Sequence, residues 1–313
     1  MERYTIEMVL AEALYGQVLL CTDTFTGEQV AIKRMNIAAA TAKRTLHGVA
    51  FISEDIAVEK QVHHALSANG GHPNVLAMRD NFVQDGHDHF VLDYCTNGEL
   101  FDMVEASPNQ RFDLEFARRM FRQVASGVAF IHARGFAHRD LSLENVLVDG
   151  KGTCHICDFG LATSRGSPSF ETVGKAFYMA PEVYLKRGYD AAKADMWSLG
   201  IMLFMMLTGA PLVEVANASD SRFQYFETYG LATLLRAWNL AQVVHGDVLG
   251  LLQQLLALDP THRPSIDQIL AHPFVAEVKQ AAKGTSSMGH VVKGFFARRR
   301  SSNRLLDVYN TTM

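Results

Sequence analysis

Transfer of a phosphoryl group asks four things of a protein: an anchor for phosphate, ligands for a metal, an acceptor for the proton of the attacking hydroxyl, and in-line positioning. The sequence holds a candidate for each. Lys33 closes the short run Val30-Ala31-Ile32-Lys33; read alone, it is an ordinary lysine on an edge strand. Glu59 opens the pattern Glu59-x-x-Val62-x-x-x-Leu66, whose apolar residues share one inward helical face. An ion pair between Lys33 and Glu59 would aim the ammonium at the α- and β-phosphates of a nucleotide. Asp140 and Asn145 lie in the segment His138–Asn145, and Asp158 follows in Asp158-Phe159-Gly160.

The elements that must hold these residues fall into three stretches. From Tyr4 to about Leu92, β-rich runs (Gln17–Thr22, Gln29–Lys33, Phe90–Leu92) surround one helical segment near Ile52–Leu66. From about Glu99 to Val275 the pattern is mostly helical, with strand-like pieces at Val146–Val148 and Cys154–Ile156. From Lys279 the composition turns small, polar and basic, including Gly284 and Arg298–Ser302, and reads as a tail. The expectation is an α+β fold: a small antiparallel sheet with one main helix, joined to a larger helical lobe across a cleft, where ligands commonly bind.

His138–Asn145 resembles the catalytic loop of eukaryotic protein kinases, and Val146-Leu147-Val148 supplies the strand expected after it. The resemblance extends to Asp158-Phe159-Gly160, Ala180-Pro181-Glu182, the stretch Asp195–Gly200 and His262-Arg263-Pro264, in the family's order and spacing, and covers roughly Tyr4 to Val275. It implies a bilobal domain over 4–275, with the small lobe at about 4–92, a hinge at 93–98, the large lobe at 99–275 and a tail at 276–313. It implies ATP with Mg²⁺ or Mn²⁺. Asp140 would accept the substrate proton, Asn145 and Asp158 would hold metal, and Lys33 with Glu59 would position phosphates. Glu182 and Arg263 would form a buried structural pair. Leu92 falls at the gatekeeper position, and the backbone of Asp93 and Cys95 would bind adenine. Leu10, Ala11, Gly16, Val18, Ala31, Glu99, Glu144 and Leu147 complete the expected nucleotide site.

Three departures from the family pattern matter. The phosphate loop falls on Ala11-Glu12-Ala13-Leu14-Tyr15-Gly16-Gln17-Val18, so only Gly16 of its glycines survives. Glycine lets backbone amides approach phosphate, whereas alanine adds a Cβ and restricts φ; ATP bound more weakly or in a different pose is the expected result. Ser142 stands where Ser/Thr kinases usually carry lysine, and Lys175 stands where they carry threonine. Either Lys175 reaches back to restore the cation, or the two are independent losses in a slow enzyme. Arg139 beside the catalytic aspartate marks kinases ordered by an activating phosphate. Glu171 occupies the usual phosphosite, giving about one negative charge where a phosphate gives nearly two. Otherwise the site is Thr172 or Ser169.

His138–Asn145 is closer to the Ser/Thr form than to the tyrosine form, and the loop resembles the calcium/calmodulin-dependent group. Glu99 and Glu144 occupy positions that in basophilic relatives engage an arginine upstream of the target; alternatively Glu99 binds the ribose or solvent. Arg298–Ser301 would suit such a site as an autophosphorylation target, and Val291–Arg300 is a candidate for calmodulin. A second reading is a scaffold that keeps the fold without transfer. The lost glycines and lysine favour it; retention of Lys33, Glu59, Asp140, Asn145 and Asp158 argues against it, since a scaffold has no chemical need for all five.

Bulk properties bound these readings. A net charge of -4 gives no nucleic-acid footprint, and four cysteines are no disulfide framework, so a reducing compartment, cytoplasm or nucleus, is expected. The most apolar run, Leu199–Leu207, is far below the ~18 residues of a membrane span and reads as a core helix. The N-terminus has no unbroken apolar stretch of a secretory signal, so the sequons at Asn217 and Asn310 read as chance. Cys154 and Cys157 have a metal-like spacing, but on a strand i and i+3 face opposite sides.

Overall fold

The computed structural model describes residues 1–43, 54–185 and 187–276. The readings placed on the tail, including Val291–Arg300 and Arg298–Ser301, lie outside the described residues. The chain begins with β1 (Tyr4–Ala13), β2 (Gly16–Asp23), β3 (Gln29–Asn36), a short α1 (Ile37–Thr41), α2 (Ile56–Ser67), β4 (Met78–Gln84) and β5 (His87–Asp93). The five strands form one antiparallel sheet in the order β1-β2-β3-β5-β4.

Strand parity decides what faces the cleft. Side chains alternate across a strand, so Val30 and Ile32 of β3 join Leu19, Cys21 and Val91 in a cluster on one face. Ala31 and Met35, and with them Lys33, face the other side, where Leu92 and Phe90 also pack. The lysine therefore points into the cleft, on an interior strand and not the edge that its sequence alone suggests.

The main helix of the small lobe starts at Ile56, later than the Ile52 suggested by composition. The reason is Asp55, whose carboxylate accepts the Ala57 and Val58 amides that the helix itself leaves unpaired. Ile52 and Ser53 lie outside the described residues. The buried face of α2 is Glu59, Val62, His63 and Leu66, which matches the spacing of one helical stripe.

The large lobe follows the hinge with α3 (Leu100–Ala106), α4 (Leu114–Ala133), the short strands β6 (Phe136–Ala137), β7 (Val146–Val148), β8 (Cys154–Ile156) and β9 (Thr163–Ser164), and helices α5 (Ala191–Thr208), α6 (Ser221–Ala237), α7 (Gly246–Leu255) and α8 (Ile266–Ala271). β7 pairs with β8 and β6 with β9, so the segment 138–145 emerges between β6 and β7 and Asp158 emerges after β8. Helix α5 is buried along nearly its whole length; a helix apolar all round belongs at a core centre. No helix among the described residues is long and apolar enough to cross a membrane.

Candidate active site

The cleft side of β3 meets the buried face of α2 at Lys33, whose Nζ donates to Glu59 Oε1 at 2.6 Å and to Asp158 Oδ1 at 3.3 Å. Burial alone would lower the lysine's proton affinity, but the carboxylates of Asp158 and Glu59 hold it above the ordinary range. For Asp158 the balance also favours the charged form: burial acts to raise it, and Lys33 and Lys175 hold it below its usual value.

The segment 138–145 is fixed from below. Asp195, buried at the start of α5, accepts from His132 Nε2 at 2.8 Å, from the His138 amide at 2.9 Å and from the Arg139 amide at 2.9 Å. Burial acts to raise Asp195, but these donors hold it below the usual carboxylate range. His138 Nε2 donates to the Cys157 carbonyl at 3.0 Å while its Nδ1 accepts the Asp140 amide at 3.2 Å, which ties this loop to the turn carrying Asp158. Asn145 Nδ2 donates to the Asp140 carbonyl at 2.8 Å and to Asp140 Oδ2 at 2.7 Å.

Asp140 is also reached from the activation segment, the stretch between Asp158-Phe159-Gly160 and Ala180-Pro181-Glu182. The Lys175 amide donates to Asp140 Oδ1 at 3.0 Å, and Lys175 Nζ donates to Asp140 Oδ2 at 2.9 Å and to Ser142 Oγ at 3.0 Å. The approach depends on Gly174, at φ 105°, where a Cβ would lie 2.7 Å from the Arg139 carbonyl oxygen. Only glycine lets the two segments touch here.

The apolar half of the cleft gathers Ala31, Leu92 and Cys95 with partly buried Leu10, Val18, Leu147 and Cys157. Asp93 ends β5; its amide donates to the Ala77 carbonyl at 3.2 Å. Glu99 immediately precedes α3 and bridges to Leu147. Glu144 has one carboxylate oxygen, Oε2, buried without a hydrogen-bond partner among the described residues. Nearby Asp102 is raised by burial and by the charges of Glu105 and Glu144, so this lip of the cleft is acidic. Cys154 packs its sulfur 3.6 Å from Met120 in the large-lobe core while Cys157 faces the cleft, so the two sulfurs serve different clusters.

Ala11 and Ala13 sit opposite Val18 and Gly16 in the β1–β2 ladder, so the alanines occupy extended backbone of a hairpin closed by Leu14 and Tyr15. Gly16 is demanded by the sheet: a Cβ there would lie 2.0 Å from the Arg34 carbonyl oxygen.

Three further residues join the site: Tyr15, which the sequence places only as a member of the phosphate loop, His63, which reads there as a surface or packing residue, and Glu54. Tyr15 folds inward, is 3% exposed, and donates its hydroxyl to the Glu54 carbonyl at 2.9 Å. The Asp55 amide in turn donates to the Gly160 carbonyl at 3.0 Å, so the phosphate loop, the start of α2 and the Asp158 turn form one chain of contacts. His63, one turn after Glu59, lies edge-on to Phe159 at 4.9 Å and Phe90 at 6.0 Å; burial pushes its pKa down to about 3. Its spacing from Glu59 signals the shared face, but nothing in the sequence says that Phe159 meets it.

Glu54 is the third. Burial and the charge of Asp158 push it up to about 7, against the pull of Lys33. A carboxyl raised in the folded state stabilises fully below its ordinary value of 4.5, and that contribution is lost as pH rises through about 7. Glu54→Gln is therefore expected to narrow the difference in melting temperature between pH 5 and pH 8. An unchanged difference would show that the side chain is solvated.

The activation segment is tied down by charge. Arg139 Nη1 donates to Glu171 Oε2 at 2.7 Å, and Arg139 Nε donates to the Leu161 carbonyl at 2.7 Å. Tyr189 holds the Glu171 carbonyl at 2.8 Å, Thr172 Oγ1 donates to the Val183 carbonyl at 3.1 Å, and Ser169 exchanges backbone bonds with Tyr189. Glu171 is 67% exposed, so its pair is worth about 1 kcal/mol or less. Glu171→Ala is expected to lower turnover a few-fold and to speed proteolysis of this segment. Stoichiometric phosphate on Thr172 required for activity would overturn the built-in-charge reading.

A five-stranded sheet over a helical lobe, with a lysine–glutamate pair above and an aspartate–asparagine loop below one cleft, defines the two-lobed protein kinase class. Residues 4–275 match the protein kinase domain family, and the chain belongs to it. CBL-interacting protein kinase 16 of Oryza sativa subsp. japonica is 34% identical over 277 residues, 87% of this chain and 56% of that protein. CBL-interacting serine/threonine-protein kinase 12 of Arabidopsis thaliana is 36% identical over 214 residues, 66% of this chain and 40% of that protein. The chain spans about half the length of the curated relatives it matches.

Proposed function

We propose that the chain transfers the γ-phosphate of ATP to serine or threonine hydroxyls of protein substrates. The observation that carries this reading is the closed contact of Lys33 with Glu59 and Asp158, above a restrained Asp140. Leu10, Val18, Ala31, Leu92 and Leu147 would sandwich adenine, with the backbone of Asp93 and Cys95 at its edge. Lys33 would anchor phosphate, and Asp140 would take the hydroxyl proton. Asp158 and Asn145 offer the oxygen donors that suit Mg²⁺, an ion that neutralises charge on phosphate oxygens when bound. The names of the similar kinases support serine/threonine transfer. Those names also carry a CBL interaction; that partner is theirs, and the reading offered for this chain is the transfer.

The acidic lip of Glu99, Asp102 and Glu144 favours substrates with an arginine upstream of the target. The test is radiolabelled transfer from ATP to an Arg-x-x-Ser peptide and to its Ala-x-x-Ser counterpart. Faster transfer to the first is expected. Equal transfer would remove the arginine preference, and nucleotide binding with no transfer to any acceptor would favour the scaffold.

A further inference from the structure

The charges around Asp140 do not balance with Lys33 alone. Asp140, Asp158, Glu59 and Glu54 converge on the cleft, and Lys33 is committed to the Glu59 and Asp158 side. The attacking hydroxyl must enter beside Asp140, where the phosphoryl group in flight carries negative charge spread over its three equatorial oxygens. A donor aimed at that charge is worth most when it is held in place beforehand. Lys175 is the ammonium in contact with Asp140.

We propose that Lys175 is a catalytic residue that neutralises the transferring phosphoryl group, delivered from the activation segment and held by Ser142. An ammonium has three N–H donors. Two are spent, on Asp140 Oδ2 at 2.9 Å and Ser142 Oγ at 3.0 Å, which leaves one for a phosphoryl oxygen. Ser142 is fully buried and donates nothing to solvent, so it serves as a fixed acceptor for the lysine. The Lys175 side chain is 36% exposed, so it is not sealed in the core. Its backbone amide is pinned to Asp140 Oδ1 at 3.0 Å, and the glycine before it presses on the Arg139 carbonyl, so the stem starts from a defined point. Burial would weaken its charge, but Asp140 and Glu144 hold the ammonium protonated.

The proposal rests on the transfer reading and deepens it. In the step, the substrate oxygen forms a bond to the γ-phosphorus and the bond from that phosphorus to the β,γ-bridging oxygen breaks. The hydroxyl proton passes to Asp140, ADP leaves with the bridging oxygen, and Lys175 keeps its proton throughout. A further consequence is that the site is electrostatically complete only while the activation segment is seated.

The test compares the wild type with Lys175→Met, Lys175→Arg and the double variant Ser142→Lys/Lys175→Thr. In Lys175→Met, kcat is expected to fall about 10²-fold with little change in KM for ATP or in melting temperature. Lys175→Arg should retain part of the rate, and the double variant should recover part of it from the other side of the same contact. A second readout needs no turnover: ADP with Mg²⁺, titrated with and without aluminium fluoride, which mimics the phosphoryl group in flight. The wild type should hold ADP more tightly with the fluoride, and Lys175→Met should lose that gain while binding ADP alone unchanged. A Lys175→Met protein that keeps the gain and the rate overturns the proposal. So does one that loses melting temperature and ADP binding together, which marks a structural role. A wild type that shows the fluoride gain but transfers no more phosphate than Asp140→Asn would sink the transfer reading and leave Lys175 in place. A wild type without the gain would sink the lysine's role.

Discussion

Replacing Asp140 by asparagine is expected to lower phosphoryl transfer about 10²–10⁴-fold, the usual worth of a positioned general base. Both oxygens of Asp140 accept from donors already fixed in place: the Lys175 amide and ammonium, and Asn145 Nδ2. A carboxamide keeps the shape but cannot take a proton from the hydroxyl, and its NH₂ would face one of those donors. Nucleotide binding should survive, because the apolar cleft residues that would hold adenine form a cluster of their own. Steady-state transfer alongside ADP titration and thermal melting checks the expectation. A rate within a few-fold of wild type would remove Asp140 as the proton acceptor. Equal background rates in both proteins would favour a scaffold.

The second large effect concerns stability. Arg263 is 2% exposed and donates Nη2 to Glu182 at 2.8 Å, Nη1 to Glu182 at 2.5 Å and to the Lys193 carbonyl at 2.9 Å, and Nε to the Ala257 carbonyl at 2.9 Å. Its guanidinium also lies over Trp197 at 5.2 Å. Arg263→Met leaves the Glu182 carboxylate buried with no partner, which costs about 3–5 kcal/mol. That corresponds to a fall of roughly 10 °C in melting temperature for a domain of this size. Denaturant unfolding at constant m measures it directly. The double variant Glu182→Leu/Arg263→Met should recover part of the loss, since no unpaired charge remains. A loss under about 1 kcal/mol would show that water reaches the pair.

The limits of sequence reading follow from where each signal is written. Three strands visible in the sequence, at Gln17–Thr22, Gln29–Lys33 and Phe90–Leu92, are the interior strands β2, β3 and β5. Strands β1 and β4 are the edges, and most of their side chains meet solvent or lie half-buried, so no alternation marks them. Lys33, Asp140, Asn145 and Asp158, whose side chains meet at one cleft, stand out in the sequence through the motifs that carry them. Tyr15, Glu54 and His63 do not, because their positions depend on contacts across segments distant in the chain. Tyr15 and Glu54, for instance, are joined through a backbone carbonyl, which leaves no trace in residue type. The contact between Lys175 and Ser142 was legible as a possibility only through the paired exchange of residue types; its distance is a property of the fold.

Helix α2 belongs to two bodies at once. Its apolar residues Val62 and Leu66 share one core with Leu100, Val128 and Phe159 of the large lobe. Lys33, by contrast, is carried by the sheet, whose paired strands move as a unit. Ile56 and His63 of the same helix pack on the sheet side, against the cluster that holds Phe90. The 2.6 Å bridge to Glu59 therefore joins the sheet to a helix seated on both cores, and its length is a gauge of how closely the two approach across the cleft.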